Sequence, residues 1–272
     1  MSANINQSSE ILTIKRLTVD FGGVRAVNNF SLSLLPGEMV ALIGPNGAGK
    51  TTVFNLITNA VKATSGEILL NGKSILGISP DRICHLGISR TFQNIRLFQQ
   101  MTAYENVELG LHSIPRYTLP EAFVRTPRAR RIEANVRKRA LELLDIVKLT
   151  PYAKARASSL PYGLQRRLEI ARAMATSPQL LLLDEPAAGM NEDECEELVS
   201  LVREIHQLMK YTIMVIEHHM AVVMDLCCDS RIYVLNLGSL LTVGTPAEIQ
   251  NNPDVIRAYL GERKHARVNN PA

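Results

Sequence analysis

The segment Gly44–Thr51 restricts the fold of this chain more than any other stretch of its sequence. It reads Gly-Pro-Asn-Gly-Ala-Gly-Lys-Thr and fits the pattern G-x-x-x-x-G-K-[ST] of a phosphate-binding loop. The apolar run Met39–Ile43 precedes it, and Thr51–Asn59 follows with helical spacing. Glycines let backbone N–H groups turn inward around phosphate oxygens, and the following helix directs its positive dipole end at them. The sequence therefore predicts a buried strand, a phosphate-binding loop and a helix in direct succession.

Side chains at the end of this loop are predicted to take part in the chemistry. In a loop of this kind the lysine, here Lys50, bridges the terminal phosphates, and the Thr51 hydroxyl binds Mg²⁺. The residues predicted to bind the phosphates are Gly44, Pro45, Asn46, Gly47, Ala48, Gly49, Lys50, Thr51 and Thr52.

Two acidic residues end an apolar run in the second half of the chain. Leu180–Leu183 is continuously apolar, and Asp184 and Glu185 follow it directly. A buried parallel strand delivers its last side chains to the sheet edge where ligands bind. We expect Asp184 to hold Mg²⁺, directly or through water, and Glu185 to polarise the attacking water. Two acids that open a surface loop would give the same pattern, but the phosphate-binding loop upstream favours the catalytic interpretation.

The order of strand and helix patterns indicates an α/β fold with a parallel core sheet. Ile11–Leu35 alternates apolar and polar residues, and Glu67–Leu70 followed by Asn71-Gly72 indicates a hairpin. A mostly helical pattern runs over 87–177. Strand character then returns in Gln179–Asp184, Thr212–Glu217, Arg231–Leu235 and Leu240–Val243, and helical stretches separate the first three. We expect the antiparallel start and the helical middle to be additions to the parallel core.

Residues 1–272 are expected to form a single domain with two lobes. The core lobe comprises 10–86 and 178–262, the helical lobe 87–177, and residues 263–272 a polar, basic tail that frays. In the helical lobe, Thr102 with Glu105 is predicted to form a capping box at the start of a helix. Further helices are predicted over Arg131–Val147 and Gly163–Thr176.

Composition and cysteine spacing favour a soluble cytoplasmic protein. No apolar run approaches the roughly 20 residues of a membrane-spanning helix. Met1–Glu10 is polar and lacks the basic-then-apolar pattern of a signal peptide. The cysteines Cys84, Cys195, Cys227 and Cys228 lack the paired spacing of a metal site and are expected to be reduced thiols. If the protein works at a membrane, other chains must span it.

The segment Arg116–Arg139 concentrates positive charge in a chain whose net charge is +4. Its eight basic side chains against two acidic ones give a net charge of +6. Two interpretations stay open at this point. The segment is either a solvated helix face or a surface near anionic lipid headgroups or an acidic partner.

The segment Leu160–Arg167 lies between the two motifs and directly before a predicted helix. It reads Leu-Pro-Tyr-Gly-Leu-Gln-Arg-Arg, and the run Arg166–Ala173 continues it. With the two motifs, it resembles the ATPase domain of ABC transporters, whose signature segment normally reads Leu-Ser-Gly-Gly-Gln here. Pro161 and Leu164 depart from that pattern, so a hydroxyl, a backbone N–H and a side-chain amide are missing.

The resemblance implies roles for further residues. Gln93 matches the Q-loop glutamine, which touches Mg²⁺ and the water and senses the membrane partner. His218 matches the switch histidine on the γ-phosphate. Phe21 matches the aromatic residue that stacks on adenine, with Val27 behind it. The segment Ala188–Asn191 matches the D-loop, although it ends in Asn instead of the usual Asp.

The resemblance also implies a dimer with shared sites. Two such domains face head to tail, and ATP lies between the phosphate-binding loop of one and the signature helix of the other, where Tyr162 and Gly163 contact it. The expected cofactors are ATP and Mg²⁺. The expected metal-binding residues are Thr51, Gln93 and Asp184. The expected catalytic residues are Glu185, His218, Lys50 and Gln93.

Four segments narrow the resemblance to the branched-chain amino-acid importer ATPases, to which the basic insertion is also similar: Ser89–Gln93, Leu168–Arg172, Asp184–Asn191 and Asn252–Glu262. This implies the ATP-hydrolysing motor subunit of an importer, peripheral at the cytoplasmic face of the inner or plasma membrane. Its expected partners are a second ATPase subunit, transmembrane permease subunits and a periplasmic or extracellular solute-binding protein, with no nucleic acid. Whether the ATPase dimer is homomeric or heteromeric stays open.

Two other functions are compatible with the motifs. One is an ABC ATPase for another cargo, such as urea, amides or lipopolysaccharide. The other is a soluble ABC ATPase of DNA repair or translation, which usually carries a coiled coil, zinc cysteines or tandem ATPase domains. None of those features stands in this sequence. No residue of this chain is expected to touch the transported solute, so the cargo rests on the resemblance alone.

Overall fold

An antiparallel sheet begins the fold. The computed structural model of the chain describes residues 10–111, 126–228 and 230–268. The sheet has the strand order β2-β1-β4-β5 and is built from β1 (Leu12–Phe21), β2 (Val24–Leu34), β4 (Ser65–Leu70) and β5 (Lys73–Ser74). Between β4 and β5, Asn71 and Gly72 adopt φ angles of 49° and 76°, as the predicted hairpin requires. The antiparallel start is therefore confirmed.

A second sheet of six strands forms the core. Its order is β10-β9-β3-β8-β7-β6, with β3 (Met39–Ile43), β6 (Ile88–Arg90), β7 (Leu180–Asp184), β8 (Thr212–Ile216), β9 (Ile232–Asn236) and β10 (Ser239–Gly244). β10 runs antiparallel to β9, and all the other pairings are parallel. The predicted parallel core is confirmed, and the strands Leu180–Asp184 and Met39–Ile43 lie where the apolar runs placed them.

Strand β6 differs from the prediction, because the stretch 87–177 was expected to be mostly helical. Ile88, Ser89 and Arg90 pair in parallel with β7 at the edge of the core sheet. Three residues show no period of their own, so only the pairing with a distant strand reveals them. The division into a core lobe and a helical lobe stays a prediction. The first residues of the predicted helical lobe, however, contribute a strand to the core sheet.

Nine α-helices lie in the described part of the chain: α1 (Lys50–Ile57), α2 (Pro80–His85), α3 (Ala103–Leu111), α4 (Pro127–Ile146), α5 (Tyr162–Ala175), α6 (Glu192–Met209), α7 (Met220–Leu226), α8 (Pro246–Asn251) and α9 (Pro253–Val268). Two short 3-10 helices, Thr150–Tyr152 and Ala157–Ser159, lie between α4 and α5. Helices α3, α4 and α5 pack against one another. None of the helices in these described ranges is long and apolar enough to cross a membrane. Helix α9 continues to Val268 and so includes the first residues of the predicted tail 263–272, whose fraying stays a prediction. Residues 269–272 of the predicted tail lie outside the described residues.

The helix starts show how the local sequence sets element boundaries. The predicted capping box is present before α3, where Glu105 Oε2 accepts from the Thr102 N–H at 2.7 Å and the Glu105 N–H donates to Thr102 Oγ1 at 3.2 Å. Asn191 with Glu194 forms a second box before α6, and Thr245 with Glu248 a third before α8. Each box satisfies two backbone donors that the first helical turn leaves without a partner.

The core sheet is buried on both faces, which explains why its strands read as continuous apolar runs. Along β7, Leu181 and Leu183 pack in the cluster that includes helices α3 to α6. The alternate residues Leu180 and Leu182 pack in the cluster beneath the antiparallel sheet. All four cysteines are thiols and not disulfides, as expected.

The basic segment is only partly described, because 116–125 lies outside the described residues. Its remainder falls on α4, where its basic side chains are mostly exposed: Arg128, Arg130, Arg131, Arg137 and Lys138. The exposure of these side chains is compatible with both interpretations of the basic segment, a solvated helix face and a surface for a partner or lipid headgroups. Residues 1–9, where a signal peptide would begin, also lie outside the described part.

Candidate active site

The phosphate-binding loop turns between β3 and α1, and two of its glycines are sterically required. A Cβ on Gly44 would lie 2.0 Å from the Leu235 carbonyl oxygen, and one on Gly49 would lie 2.5 Å from the Ala26 oxygen. The φ angles of both glycines are also positive, at 151° and 102°. The loop conformation therefore depends on glycine at both positions.

Lys50 starts helix α1 and is almost fully buried. Its Nζ donates to the carbonyl oxygens of Gly44 at 2.6 Å and Pro45 at 2.9 Å, so the amine lies across its own loop. Thr51 follows on the exposed side of the helix start. This arrangement places a fixed positive charge and a hydroxyl next to the backbone cradle, as the motif predicts.

Asp184 ends strand β7 and is 1% exposed. Its Oδ2 accepts a hydrogen bond from Arg90 Nη2 at 2.6 Å. Its Oδ1 is buried and has no hydrogen-bond partner among the described residues. A buried carboxylate oxygen without a partner is costly, and Mg²⁺ binds oxygen ligands. The side chain therefore fits the predicted metal-binding role.

Three predicted residues meet just beyond the end of β7. Gln93 Nε2 donates to Glu185 Oε2 at 2.8 Å, and His218 Nδ1 lies 3.7 Å from the same oxygen. Glu185 adopts a φ angle of 46°, which turns the chain sharply after the strand. The sheet thus brings together side chains that are 92 and 33 positions from Glu185 in the sequence.

A cleft of about 710 Å³ opens beside these residues. Thr51, Gln93 and Asp184 line it, so the three predicted metal-binding residues share one cavity. Arg90 and Asn55 also line the cleft, and Arg90 Nη1 donates to Asn55 Oδ1 at 2.7 Å.

Glu217 is a residue to which the sequence analysis gave no role. It is fully buried directly after β8. Its Oε1 accepts from the Ala187 N–H at 2.8 Å, and its Oε2 accepts from the N–H groups of His218 at 3.1 Å and His219 at 3.4 Å. One carboxylate therefore ties the segment after Glu185 to the segment that carries His218. An acid between an apolar strand and a histidine was the available signal.

The remaining predicted residues lie at other places on the chain. Phe21 is 45% exposed at the turn between β1 and β2, with Val27 buried nearby on β2. Tyr162 and Gly163 begin helix α5. Gly163 lies next to helix α6, since a Cβ at this position would be 3.3 Å from Glu194 Oε1. Phe21 and Tyr162 are exposed, as contacts to a ligand shared between two chains would require.

The parallel sheet, the loop after β3 and the buried acid at the end of β7 define a nucleotide-binding protein of the P-loop class. Residues 27–188 match the family model described as ABC transporter, and residues 239–265 match that of the branched-chain amino acid ATP-binding cassette transporter. The chain belongs to the ABC transporter ATP-binding family, and it is an ATPase.

Curated relatives match along nearly the whole chain. The chain is 48% identical over 255 residues to the high-affinity branched-chain amino acid transport ATP-binding protein LivG of Escherichia coli (strain K12). It is 45% identical over 255 residues to the corresponding protein BraF of Pseudomonas aeruginosa. Both matches cover 94% of this chain and 99% of the relative.

Solved structures agree with this assignment. The ADP conformation of MJ1267, an ATP-binding cassette of an ABC transporter, is similar with a TM-score of 0.80 and 29% identity, over 93% of this chain and 99% of that one. The dimeric structure of the ATP-binding cassette MJ0796 bound to ADP and Pi gives a TM-score of 0.71 and 28% identity, over 86% of this chain and 98% of that one.

Proposed function

We propose that this chain hydrolyses ATP to drive the import of branched-chain amino acids. The observation that carries the catalytic part is the meeting of Gln93, Glu185 and His218 at the end of β7. The Gln93–Glu185 hydrogen bond is 2.8 Å long, and His218 lies 3.7 Å from the same carboxylate. The cargo is supported by the likeness to LivG and BraF, whose names state branched-chain amino acid transport.

Each residue has a separate task in the proposed mechanism. The loop Gly44–Thr52 binds the phosphates through its N–H groups and Lys50, and Phe21 stacks on adenine. Thr51, Asp184 and Gln93 would hold Mg²⁺, which when bound would supply positive charge next to the β- and γ-phosphates. Glu185 polarises the attacking water. Lys50 and His218 stabilise the charge that develops on the γ-phosphate.

The proposed assembly follows from residues that lie away from the phosphate-binding loop. Tyr162 and Gly163 begin helix α5 at the surface, where they contact ATP held by a second ATPase subunit. The helix dipole and backbone N–H groups supply that contact. Permease subunits span the membrane, and a solute-binding protein delivers the cargo from outside. The chain itself lies at the cytoplasmic face, in a homodimer or heterodimer.

Glu185→Gln tests the hydrolytic role. The amide keeps the shape of the side chain but cannot polarise water, so we expect Mg²⁺-ATP to bind while single-turnover hydrolysis falls about 10²- to 10⁴-fold. Glu67→Gln, an exposed position on β4, is the matched control and should hydrolyse at the unmodified rate. Hydrolysis by the Glu185 variant at the unmodified rate would remove Glu185 from its role.

Lys50→Ala tests the phosphate contact. Loss of a hydrogen bond to a charged group costs about 1.5–3 kcal/mol, so the ATP dissociation constant should rise about 10- to 150-fold. Lys62→Ala, an exposed position after α1, is the control. An unchanged dissociation constant in the Lys50 variant would contradict the proposal.

The proposed cargo has to be tested in the assembled transporter, because this chain is not expected to contact the transported solute. We expect the chain to co-purify with its membrane subunits, and leucine, isoleucine and valine with their binding protein to stimulate ATP hydrolysis. Stimulation by urea or an amide, or by lipopolysaccharide, would replace the proposed cargo without affecting the ATPase assignment.

A further inference from the structure

Helix α5 carries a buried ion pair to which the sequence motifs assign no role. Arg166 Nη1 lies 2.9 Å from Glu169 Oε2, and the two side chains are 0% and 1% exposed. A buried pair of charges is weak evidence for stability, because the cost of removing both from water offsets their attraction. Stability alone therefore does not explain the pair, and its role has to be inferred from its hydrogen bonds to other parts of the chain.

Both side chains bind the backbone of the segment after β6. Arg166 Nη1 donates to the Phe92 carbonyl at 2.6 Å, and Nη2 donates to the Gln93 carbonyl at 2.8 Å. Glu169 Oε1 accepts from the N–H groups of Phe92 at 3.4 Å and Arg96 at 3.2 Å. Two side chains thus fix four backbone groups within five residues, and the planar guanidinium suits this two-pronged contact.

The segment held in this way places Gln93 in the active site. The Gln93 carbonyl accepts a hydrogen bond from Arg166, while the Gln93 side-chain amide donates to Glu185 Oε2 at 2.8 Å. The same guanidinium also donates to Tyr162 Oη at 3.0 Å, at the first residue of α5. One buried side chain therefore connects the start of helix α5 to the residue that contacts Glu185.

We propose that Arg166 and Glu169 are positioning residues that hold the main chain of Gln93 so that its amide reaches Glu185. Through Tyr162 they also link this placement to the start of helix α5, where the second subunit's ATP is proposed to bind. The inference rests on the proposed catalytic roles of Gln93 and Glu185. Both members of the pair are buried and bind the backbone around Gln93, so each is proposed to act through Gln93.

The first experiment removes both charges from the full-length chain. Arg166→Met with Glu169→Leu leaves no unpaired buried charge, so the fold should persist. We expect kcat for ATP hydrolysis, measured well below the unfolding midpoint of the variant, to fall about 10- to 100-fold with KM for ATP unchanged, since small misplacements of a catalytic group have such effects. An unchanged kcat would overturn the proposal.

A matched control removes another Arg–Glu pair that also binds backbone groups. Arg231 and Glu38 pair at 2.8 Å, and they contact the Ser33 carbonyl and the Leu35 N–H. They precede the parallel strands β9 and β3, at the opposite end of the sheet from the phosphate-binding loop. Arg231→Met with Glu38→Leu should leave kcat unchanged. If this control lowers kcat as much as the α5 double variant does, the effect is general and the proposal fails.

Arg166→Lys provides a variant that keeps the charge pair if the double variant does not fold. A lysine can still pair with Glu169, but it is a point charge and cannot donate in a fork to two carbonyls. We expect a smaller fall in kcat, again without a change in KM. A lysine variant with full kcat would overturn the proposed role of the guanidinium.

Combination with Gln93→Ala shows whether the pair acts through Gln93. If it does, each α5 variant made in the Gln93→Ala background lowers kcat no further. An additional loss of the full size would overturn the inference while leaving the role of Gln93 intact. If Gln93→Ala by itself keeps full kcat, the proposed function of Gln93 fails, and this inference fails with it.

Discussion

Arg90 Nη2 lies 2.6 Å from Asp184 Oδ2, and the two side chains are only 7% and 2% exposed. The guanidinium carbon also lies 5.4 Å from the ring centroid of Phe54 and 5.2 Å from that of Phe92. Asp184 is the residue predicted to hold Mg²⁺. One of its oxygens is therefore neutralised by a fixed cation from β6, and the other is the oxygen that a metal ion can take.

Arg90→Met should destabilise the chain, because it leaves Asp184 as a buried charge without its partner. Loss of one member of a buried pair costs about 3–5 kcal/mol, measured as the free energy of unfolding in urea without Mg²⁺. Arg25→Met is the control, since Arg25 and Asp20 form an exposed pair whose loss should change the free energy of unfolding little. Equal losses in the two variants would show that Arg90 is not needed to balance Asp184.

Glu217→Gln should slow hydrolysis and weaken the fold. Whichever way the amide is turned, its NH₂ group faces an N–H donor, from Ala187 on one side or from His218 and His219 on the other. A buried donor without an acceptor costs about 1–3 kcal/mol in the free energy of unfolding. We expect that loss together with a lower single-turnover rate, because His218 shifts. Glu67→Gln, at an exposed position on β4, should change neither quantity.

Cys227 and Cys228 should differ sharply in alkylation despite being neighbours. Burial raises the pKa of the Cys227 thiol to about 12, so almost none of it is the reactive thiolate at pH 8. Cys228 is exposed. Iodoacetamide at pH 8, followed by mass spectrometry, should modify Cys228 in the folded protein and Cys227 only after unfolding. Equal labelling of the folded protein would contradict the burial of Cys227.

Much of this architecture was predictable because the signals are local. Gly44–Thr51 requires a strand before it and a helix after it, and Leu180–Glu185 is a buried strand with acids at its end. Both motifs link sequence directly to backbone geometry, and both lie in the structure as predicted. The capping box at Thr102 was visible for the same reason, since its two residues are three positions apart.

The residues that were missed depend on contacts between distant parts of the chain. Arg90 pairs with Asp184 across 94 positions, and Arg166 binds the Phe92 carbonyl across 74. Contacts between such distant positions produce no local periodicity in the sequence. From the sequence alone, these side chains therefore look like ordinary surface charges. Strand β6 was missed for the same reason, because three residues become a strand only through β7.

The departures from the family pattern at Pro161 and Leu164 lead to the last prediction. Pro161 precedes helix α5 as its N-cap, with no side-chain hydrogen bond to the first turn, and it offers no N–H. Serine there would cap the helix, worth about 1 kcal/mol, and restore a hydroxyl donor to the γ-phosphate. Leu164 is half-buried one helical turn from the cap, where glutamine would restore a polar group near the ribose.

We therefore expect Pro161→Ser with Leu164→Gln to increase ATP-induced dimerisation and basal ATPase activity of the isolated chain, measured by sedimentation and phosphate release. Pro161→Ala, which restores the N–H without the hydroxyl, separates the two contributions. If neither dimerisation nor activity rises in the double variant, the two departures are neutral.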